Sequence, residues 1–434
     1  MSEKVKIIGA GLAGCEAALY LAKKGIKVEL YEQKPHKFSP AHKTEGFAEL
    51  VCSNSLKADR LASASGLLKA EMQLLGGTLL NIAETCRVAA GGALAVDRAE
   101  FSAAVTAAVN AEENITVHLC EVESLDENSG ITLVATGPLT EGGLAEDIKR
   151  LTSEDALAFF DAAAPIITAE SIDMNEVFAA SRYERGGADY LNCPFDKVGY
   201  DAFYEALVAA ERAELHAFDK EPDVFEGCMP VEIMARRGAD TMRYGPLRPV
   251  GLVNPKTGHR PWANVQLRAE DKACSMYNIV GFQTNLKFAE QKRVFSMIPG
   301  LANGEFVRYG VMHRNTFLNA PKLLSEDLSL KCAPNVFFAG QITGFEGYVE
   351  SMASGLLAAR FIMARLNAEP MPLLPIGTMC GALLHYISEE NPHFQPLGAN
   401  MGILPPCETR IKDKKLRYEA VAQKAMETLT MALK

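Results

Sequence analysis

The 434-residue sequence lacks the features that mark several classes of protein. Its 10 cysteines include no CxxC pair and follow no regular spacing, so neither a zinc site nor a disulfide framework is expected. No apolar run approaches the roughly 18 residues that a membrane span needs. The first strand is predicted almost at the initiator Met, which argues against a secretory leader. These absences favour a cytoplasmic protein with reduced thiols, without a metal and without a membrane segment.

Negative charge predominates, with one local exception. The net charge of −10 argues against a protein that coats nucleic acid generally, but it leaves room for a local basic groove. Between residues 231 and 268, seven basic residues face only two acids. The seven are Arg236, Arg237, Arg243, Arg248, Lys256, Arg260 and Arg268. The excess of arginine favours forked contacts with phosphate or carboxylate, and a solvated face is the plain alternative.

The N-terminal segment KVKIIGAGLAGCEAALYLAKKGIKVELYEQ carries a dinucleotide-binding fingerprint. A strand is predicted over 5–8, a helix to about residue 24, and a second strand over 27–31. The turn that joins the first strand to the helix consists of Gly9, Ala10, Gly11, Leu12, Ala13 and Gly14. Its glycines allow a tight turn, close approach of a pyrophosphate and close helix–strand packing. Glu32 stands where an acceptor for a ribose hydroxyl belongs, so the pattern predicts an FAD-type site. Further along the chain, a helix is predicted over 58–75, and Asp97 is the predicted N-cap of a later helix.

A second glycine-rich segment, APNVFFAGQITGFEGY, lies about 330 residues further on. A predicted strand over 336–339 leads into Gly340, Gly344 and Gly347, and a long helix is predicted from Tyr348. A helix N-terminus in this setting is typical of the second half of a flavin site. We therefore predict an α/β fold, with a Rossmann-like FAD-binding domain of the glutathione-reductase type. Its halves are residues 1–189 and 300–434, and residues 190–299 form an inserted α+β substrate domain.

Two cysteines differ from the others by their neighbours. Cys52 lies in the polar segment ELVCSNSLK, and Cys228 lies between Gly227 and Met229 in a segment typical of an exposed turn. Core packing is the expected role of the remaining cysteines, including Cys120 in a predicted strand. The residues alone do not decide whether Cys52 and Cys228 are both catalytic.

Several long segments indicate the function more specifically than the spacing of single residues does. FAELVCSNSLKAD, GCMPVEIMARRGADTMRYGPLRPVGL, YNIVGFQTNLKFAEQKRVFSMIPGL, EFVRYGVMHRNTFLNAPKLL and FFAGQITGFEGYVES resemble the bacterial folate- and FAD-dependent tRNA uracil-C5 methyltransferase family. The resemblance runs essentially from end to end. It implies that the product is 5-methyluridine (ribothymidine) at uridine-54 of the tRNA T loop.

The resemblance also implies roles for individual residues. Cys228 corresponds to the nucleophile that adds to C6 of uracil, and Cys52 to the cysteine that removes the C5 proton. Tyr348 resembles the tyrosine placed against the flavin ring. His313 and Arg314 are candidates for contacting folate, and Arg236, Arg237, Arg243 and Arg248 for binding RNA. Reduced FAD would carry the one-carbon unit from 5,10-methylenetetrahydrofolate. Since no second GxGxxG occurs, NADH or NADPH is expected to dock transiently over the flavin.

Three alternatives remain open at this point. A related flavoprotein that modifies wobble uridine with a carboxymethylaminomethyl group shares the second fingerprint, but it is longer than this chain. A paralogue that methylates ribosomal RNA would carry the same catalytic motifs. A flavin-bound RNA-binding protein without turnover is the third, and the presence of both Cys52 and Cys228 argues against it.

Overall fold

The structure is a computed structural model that describes residues 4–127, 130–213, 229–407 and 411–434. Its strands, numbered in chain order, are β1 Lys4–Ile8, β2 Lys27–Glu32, β3 Ser55–Ala58, β4 Arg87–Val88, β5 Ala93–Val96, β6 Ile115–Leu119, β7 Thr132–Val134, β8 Leu157–Ala162, β9 Ile166–Thr168, β10 Phe178–Ala179, β11 Tyr190–Phe195, β12 Ala263–Ala269, β13 Met276–Ile279, β14 Phe306–Arg308, β15 Met312–Phe317 and β16 Val336–Phe338.

The helices are numbered in the same way. They are α1 Leu12–Lys23, α2 Ala64–Leu75, α3 Leu79–Thr85, α4 Arg98–Asn110, α5 Gly142–Thr152, α6 Lys197–Ala209, α7 Val231–Arg236, α8 Ala239–Tyr244, α9 Phe288–Phe295, α10 Ala320–Leu323, α11 Tyr348–Leu366, α12 Met379–Ser388 and α13 Lys414–Ala432. Within the described ranges, none of the helices is both long and apolar enough to span a bilayer.

A five-stranded parallel sheet forms the centre of the predicted FAD-binding domain. Its strand order is β16-β7-β1-β2-β6, and β1 pairs with β2 in register from Lys4 opposite Lys27. β16, from the far end of the chain, pairs in parallel with β7. The two halves of the predicted FAD-binding domain therefore share one sheet, which confirms the Rossmann-like class.

Helices α1 and α11 pack closely against each other beside this sheet. A Cβ on Gly355 of α11 would lie 2.2 Å from the carbonyl oxygen of Ala13 in α1, so only glycine allows this approach. Residues 12–22 of α1 are all buried, because α1 is enclosed by other elements. Helices from opposite ends of the chain thus form one core, in which each large apolar side chain contributes about 1.5–3 kcal/mol.

A second sheet is antiparallel and has its own core. Its strand order is β10-β11-β12-β13-β9-β14. Helices α6 and α9 cover it through an aromatic cluster in which the rings of Phe203, Phe282 and Phe295 are fully buried. The rings of Phe282 and Phe295 meet edge to face at 5.3 Å. This sheet takes strands from residues 166–179 and 306–308 as well as from 190–279, while the division at 190 and 299 stays a prediction.

Local signals located several elements correctly, and some expectations were wrong. Asp97 caps α4 as expected, since its carboxylate accepts a hydrogen bond from the N–H of Glu100 at 3.0 Å. The helix predicted over 58–75 is present as α2 but begins only at Ala64, after the cap Ser63, because β3 extends to Ala58 and a turn follows it. Cys120 is exposed and lies just beyond the end of β6, so its expected core position is wrong. Cys274 and Cys332 are exposed too.

Candidate flavin-binding site

The glycine turn after β1 has the geometry that the fingerprint requires. Gly9 has φ of +101°, and a Cβ there would lie 2.6 Å from the carbonyl oxygen of Ala135. A Cβ on Gly14 would lie 1.9 Å from the carbonyl oxygen of Gly9, so this glycine permits helix packing. Gly11 is different, because a Cβ there would meet nothing closer than 3.9 Å. Its open side is the space that a pyrophosphate at the N-terminus of α1 would need.

A cavity of about 640 Å³ opens beside this turn, within the range usual for ligand sites. Among the predicted cofactor residues, the cavity is lined by Gly9, Ala10, Gly11, Leu12, Ala13, Glu32, Gly340, Gly347 and Tyr348. Gly14 and Gly344 lie behind the wall. A Cβ on Gly344 would lie 2.6 Å from the ring of Phe394, so its role is packing.

Glu32 is held at the end of β2 by backbone donors. Its carboxylate accepts hydrogen bonds from the N–H groups of Ala10 and Lys34, each at 2.9 Å. The side chain is buried and lines the cavity, as an acceptor for a ribose hydroxyl would. The glycine turn, the acid and the cavity therefore fit a dinucleotide of the FAD type.

Cys52 lies in the wall of the same cavity, next to Tyr348. The hydroxyl of Tyr348 accepts hydrogen bonds from the N–H groups of Cys52 at 2.7 Å and Ser53 at 3.1 Å. Burial raises the pKa of the Cys52 thiol to about 12; nearby Asp161 adds to this, while Arg98 and Arg308 oppose it. Burial likewise raises the pKa of the Tyr348 phenol. Both groups are thus protonated at neutral pH in this environment.

The two folate candidates face opposite sides of β15. His313 is half-buried and lines the cavity, and burial lowers its pKa, so the ring is neutral at pH 7. Arg314 is exposed and is absent from the cavity wall. Asn315, two residues after His313, is buried and lines the cavity. The period-two alternation of a strand explains this pattern and could have indicated Asn315 from the sequence.

The four RNA candidates lie on or after the short helices α7 and α8. Arg236, Arg237 and Arg248 are exposed. The guanidinium of Arg243 lies 3.8 Å from the ring centroid of Trp262, a cation–π contact. Arg248 donates a hydrogen bond to the hydroxyl of Tyr183 at 2.9 Å. This surface thus combines basic and aromatic side chains.

Cys228 lies outside the described residues, which resume at Met229. Close by in the chain, the N–H of Val231 donates a hydrogen bond to the carbonyl oxygen of Gln283 at 2.7 Å. Gln283 lines the cavity that also contains Cys52. The chain just after Cys228 therefore contacts a residue of the cavity wall.

Comparison with known proteins gives a single answer. Residues 4–370 match the family described as glucose inhibited division protein A. A Lactiplantibacillus plantarum protein named methylenetetrahydrofolate–tRNA-(uracil-5-)-methyltransferase TrmFO is 55% identical over 428 residues, covering 98% of this chain and 96% of that protein. A protein of the same name from Acetivibrio thermocellus is 55% identical over 430 residues, covering 99% and 98%. The chain belongs to the TrmFO family.

A solved structure agrees with this assignment at the level of the fold. Aquifex aeolicus GidA superposes with a TM-score of 0.72, covering 99% of this chain and 73% of that chain, at 14% identity. At such identity the likeness establishes the fold alone. The family resemblance noted in the sequence is confirmed, and TrmFO relatives match nearly the whole of this chain.

Sequence reasoning missed one buried acid in the cavity wall of this TrmFO chain. Glu346 is 6% exposed, and both of its carboxylate oxygens accept from the side-chain amide of Gln341, at 2.9 and 3.0 Å. Burial, followed by the charge of Asp161, raises its pKa to about 8. Its place between glycines in GFEGY was the available signal. In the parts of the chain that the structure describes, no group of three or more His, Cys, Asp or Glu is placed to hold a metal.

Proposed function

We propose that the chain transfers a one-carbon unit from 5,10-methylenetetrahydrofolate to C5 of uracil in tRNA and reduces it to a methyl group. The observation that carries this proposal is Cys52 in the wall of a dinucleotide cavity, in a chain of the TrmFO family. FAD bound there would carry the one-carbon unit and supply electrons. Gly9, Gly11 and Glu32 would hold its nucleotide part, and Gly340, Gly347 and Tyr348 its flavin part.

Two thiols divide the chemistry on uracil. C5 is a poor nucleophile until a thiolate bonds to C6 and displaces the π electrons toward the C4 carbonyl. Cys228 supplies this thiolate in the proposal. The hydrogen bond from Val231 to the cavity residue Gln283 supports it, because it brings the neighbouring chain to the flavin cavity.

Cys52 completes the cycle as the base. After the one-carbon unit has bonded to C5, the Cys52 thiolate takes the C5 proton; the C5–H electron pair would form an exocyclic C5=CH2 bond, and the carrier nitrogen would leave with the electrons of its bond to carbon. A hydride from the reduced cofactor would then add to that CH2, the C5=C6 bond would form, and the Cys228 sulfur would leave C6 with its electrons. One thiolate is consumed and one is released, so the charge balances. The position of Cys52 in the cavity wall, beside Tyr348, supports this role.

Uridine-54 of the T loop is the proposed target, and the basic surface on α7 and α8 the proposed RNA contact. The residues that would contact phosphates there are Arg236, Arg237, Arg243 and Arg248. The only acids on α7 and α8 are Glu232 and Asp240, so the basic residues of this surface are in excess. His313 in the cavity is the better folate candidate, whereas Arg314 could contact folate only from outside the described cavity wall. NADH or NADPH would supply electrons, and the reaction would take place in the cytoplasm.

One experiment tests the target. Transfer RNA and ribosomal RNA from a deletion strain are mapped by mass spectrometry for lost 5-methyluridine. A loss confined to position 54 of tRNA is expected. A loss confined to ribosomal RNA would favour the paralogous target, and a wobble-uridine defect would favour the related flavoprotein that installs a carboxymethylaminomethyl group.

A second experiment tests the donor. Purified protein is incubated with tRNA transcript, reduced nicotinamide and either labelled methylenetetrahydrofolate or labelled S-adenosylmethionine. Label is expected in the RNA only from the folate. Transfer from S-adenosylmethionine would contradict the proposed chemistry, and the Cys228→Ala variant serves as the inactive control.

A further inference from the structure

Two arginines, one from helix α4 and one from the antiparallel sheet, converge on the carbonyl oxygen of Cys52. Arg98, at the start of α4, donates to it at 3.4 Å and to the carbonyl oxygen of Leu50 at 3.0 Å. Arg308, at the end of β14 in the second sheet, donates to it at 3.1 Å and to the carbonyl oxygen of Val51 at 3.0 Å. With the N–H of Cys52 bound to Tyr348, both polar groups of its backbone are held.

The charges of the two arginines are balanced differently. Arg98 forms an ion pair with the buried Glu270, at 2.6 Å between Nε and Oε2. No ion pair joins Arg308 to a carboxylate in the described ranges, and its Nε is buried without a hydrogen-bond partner among those residues. Burial also lowers the pKa of Arg308. Arg308 is half-buried, and the charge of Glu270, the acid paired with Arg98, also acts on it. Partial burial of a cation that has no ion pair of its own is costly, and an anion that forms beside it reduces that cost.

The thiol of Cys52 is the group beside Arg308 that becomes an anion in the proposed reaction. We infer that Arg308 is a positioning residue that, together with Arg98, holds the Cys52 loop against the cavity and offsets the thiolate charge before Cys52 takes the C5 proton. This inference rests on the role of Cys52 proposed above. It also couples the antiparallel sheet to the cavity, because Arg308 ends β14 of that sheet and Cys52 lies in the cavity wall.

Other charged groups around the Cys52 thiol also affect how readily it becomes a thiolate. Asp161 at the end of β8 and Glu346 before α11 disfavour a thiolate, whereas Arg98 and Arg308 favour it. Arg268 of β12 is bound to the next two residues, with 2.8 Å contacts to Ser53 Oγ and Asn54 Oδ1. Loss of Arg308 therefore leaves a site in which the acids weigh more, and thiolate formation becomes harder.

The test is the reactivity of the thiol itself. FAD-loaded wild type, Arg308→Gln and Arg308→Lys are treated with iodoacetamide between pH 7 and 10, and alkylation of the tryptic peptide 44–57 is followed by mass spectrometry. Only the thiolate reacts, so the rate reports the thiolate fraction. The exposed Cys332 in the same digest is the internal reference. Arg293→Gln, at an exposed ion pair on α9, is the matched control.

The expected result separates charge from hydrogen bonding. Arg308→Gln keeps an amide donor but loses the charge, so it should slow Cys52 alkylation about tenfold, equivalent to one pKa unit. Arg308→Lys should keep most of the reactivity. The turnover number for tRNA methylation should fall with Arg308→Gln, while KM for tRNA and the flavin spectrum stay the same.

Two outcomes would overturn the inference. One is an Arg308→Gln protein whose Cys52 is alkylated as fast as in the wild type. The other is an Arg308→Lys protein whose Cys52 is alkylated about tenfold more slowly than in the wild type, a result that can be measured even if the Gln variant does not fold. Failure of the proposed function looks different. A Cys52→Ser enzyme that still methylates tRNA would remove Cys52 from the mechanism, whatever Arg308 does to its reactivity.

Discussion

The hydroxyl of Tyr348 accepts a hydrogen bond from the backbone N–H of Cys52 at 2.7 Å, although the two residues are 296 positions apart in the chain. The same hydroxyl also accepts a hydrogen bond from the backbone N–H of Ser53, at 3.1 Å. The first residue of α11 thereby fixes the loop that carries the cavity thiol. A helix start in one half of the flavin domain thus positions a reactive group in the other half.

Replacement of Tyr348 by Phe should destabilise this junction. The N–H groups of Cys52 and Ser53 lose their acceptor, at a cost of about 1–3 kcal/mol in the free energy of unfolding. Urea unfolding of the FAD-loaded protein measures this loss, and the flavin absorption spectrum should shift at the same time. Tyr244→Phe, at a residue that is 83% exposed, is the control and should change neither. If Tyr348→Phe and Tyr244→Phe were equally stable, the hydrogen bonds to the Tyr348 hydroxyl would not stabilise the fold.

Substitution of Gly11 by Glu should abolish FAD binding without unfolding the protein. The Cβ would meet nothing closer than 3.9 Å, but the carboxylate would occupy the approach of the pyrophosphate and repel it. The purified variant should be colourless and the wild type yellow. Gly92→Glu is the control, because a Cβ there meets nothing within 4 Å and Gly92 does not line the cavity. A yellow Gly11→Glu protein, or a wild type that cannot be loaded with FAD, would refute the site.

The two proposed catalytic cysteines should fail at different steps. Cys228→Ala should retain FAD and bind tRNA, but lose essentially all methylation and form no covalent adduct with 5-fluorouridine T-loop RNA. Cys52→Ala should still attack C6 and stall before removal of the C5 proton. Denaturing gels and methylation assays distinguish the two, with the exposed Cys332→Ala as the active control. An active Cys228→Ala enzyme would disprove the nucleophile assignment.

Charge reversal at Arg236 and Arg237 should weaken tRNA binding in a salt-dependent manner. Each lost phosphate contact lowers the slope of log K against log salt by about 0.7–0.9. Binding titrations at several salt concentrations measure this slope, and flavin reduction by nicotinamide should be unchanged. Reversal of Lys149 and Arg150, a neighbouring basic pair on α5, is the matched control. If both double variants bind alike, the RNA surface lies elsewhere.

Glu346 should make stability depend on pH. Its pKa of about 8 in the folded protein exceeds the ordinary value of 4.5, so the folded state binds the extra proton between these limits. Wild-type stability should therefore fall as pH rises from about 4.5 to 8, by at most about 1.4 kcal/mol per pH unit from this group. Glu346→Gln should remove that slope in urea unfolding at pH 5.5, 7 and 8.5. The exposed Glu113→Gln should keep it, and parallel curves for wild type and Glu346→Gln would contradict the assignment.

Features that depend on short stretches of sequence were predictable. The glycine turn between β1 and α1, Glu32 at the end of β2, the Asp97 cap and the start of α11 at Tyr348 all follow from residues a few positions apart. Backbone conformation and capping act over that distance, so periodicity and glycine spacing suffice. The start of α2 was predicted six residues too early, because Ala58 is the last residue of β3, which pairs with the distant β5, and the cap that begins the helix is Ser63.

The sequence by itself determined the class of fold, the dinucleotide turn and, through long family motifs, the chemistry to expect. Tertiary structure alone decided which side chains meet: His313 and not Arg314 at the cavity, Glu346 in its wall, and Arg98 with Arg308 on the carbonyl of Cys52. The contact between Arg308 and Cys52 joins residues 256 positions apart in the chain. The geometry of such contacts results from the packing of several sheets and helices, and no local pattern encodes it.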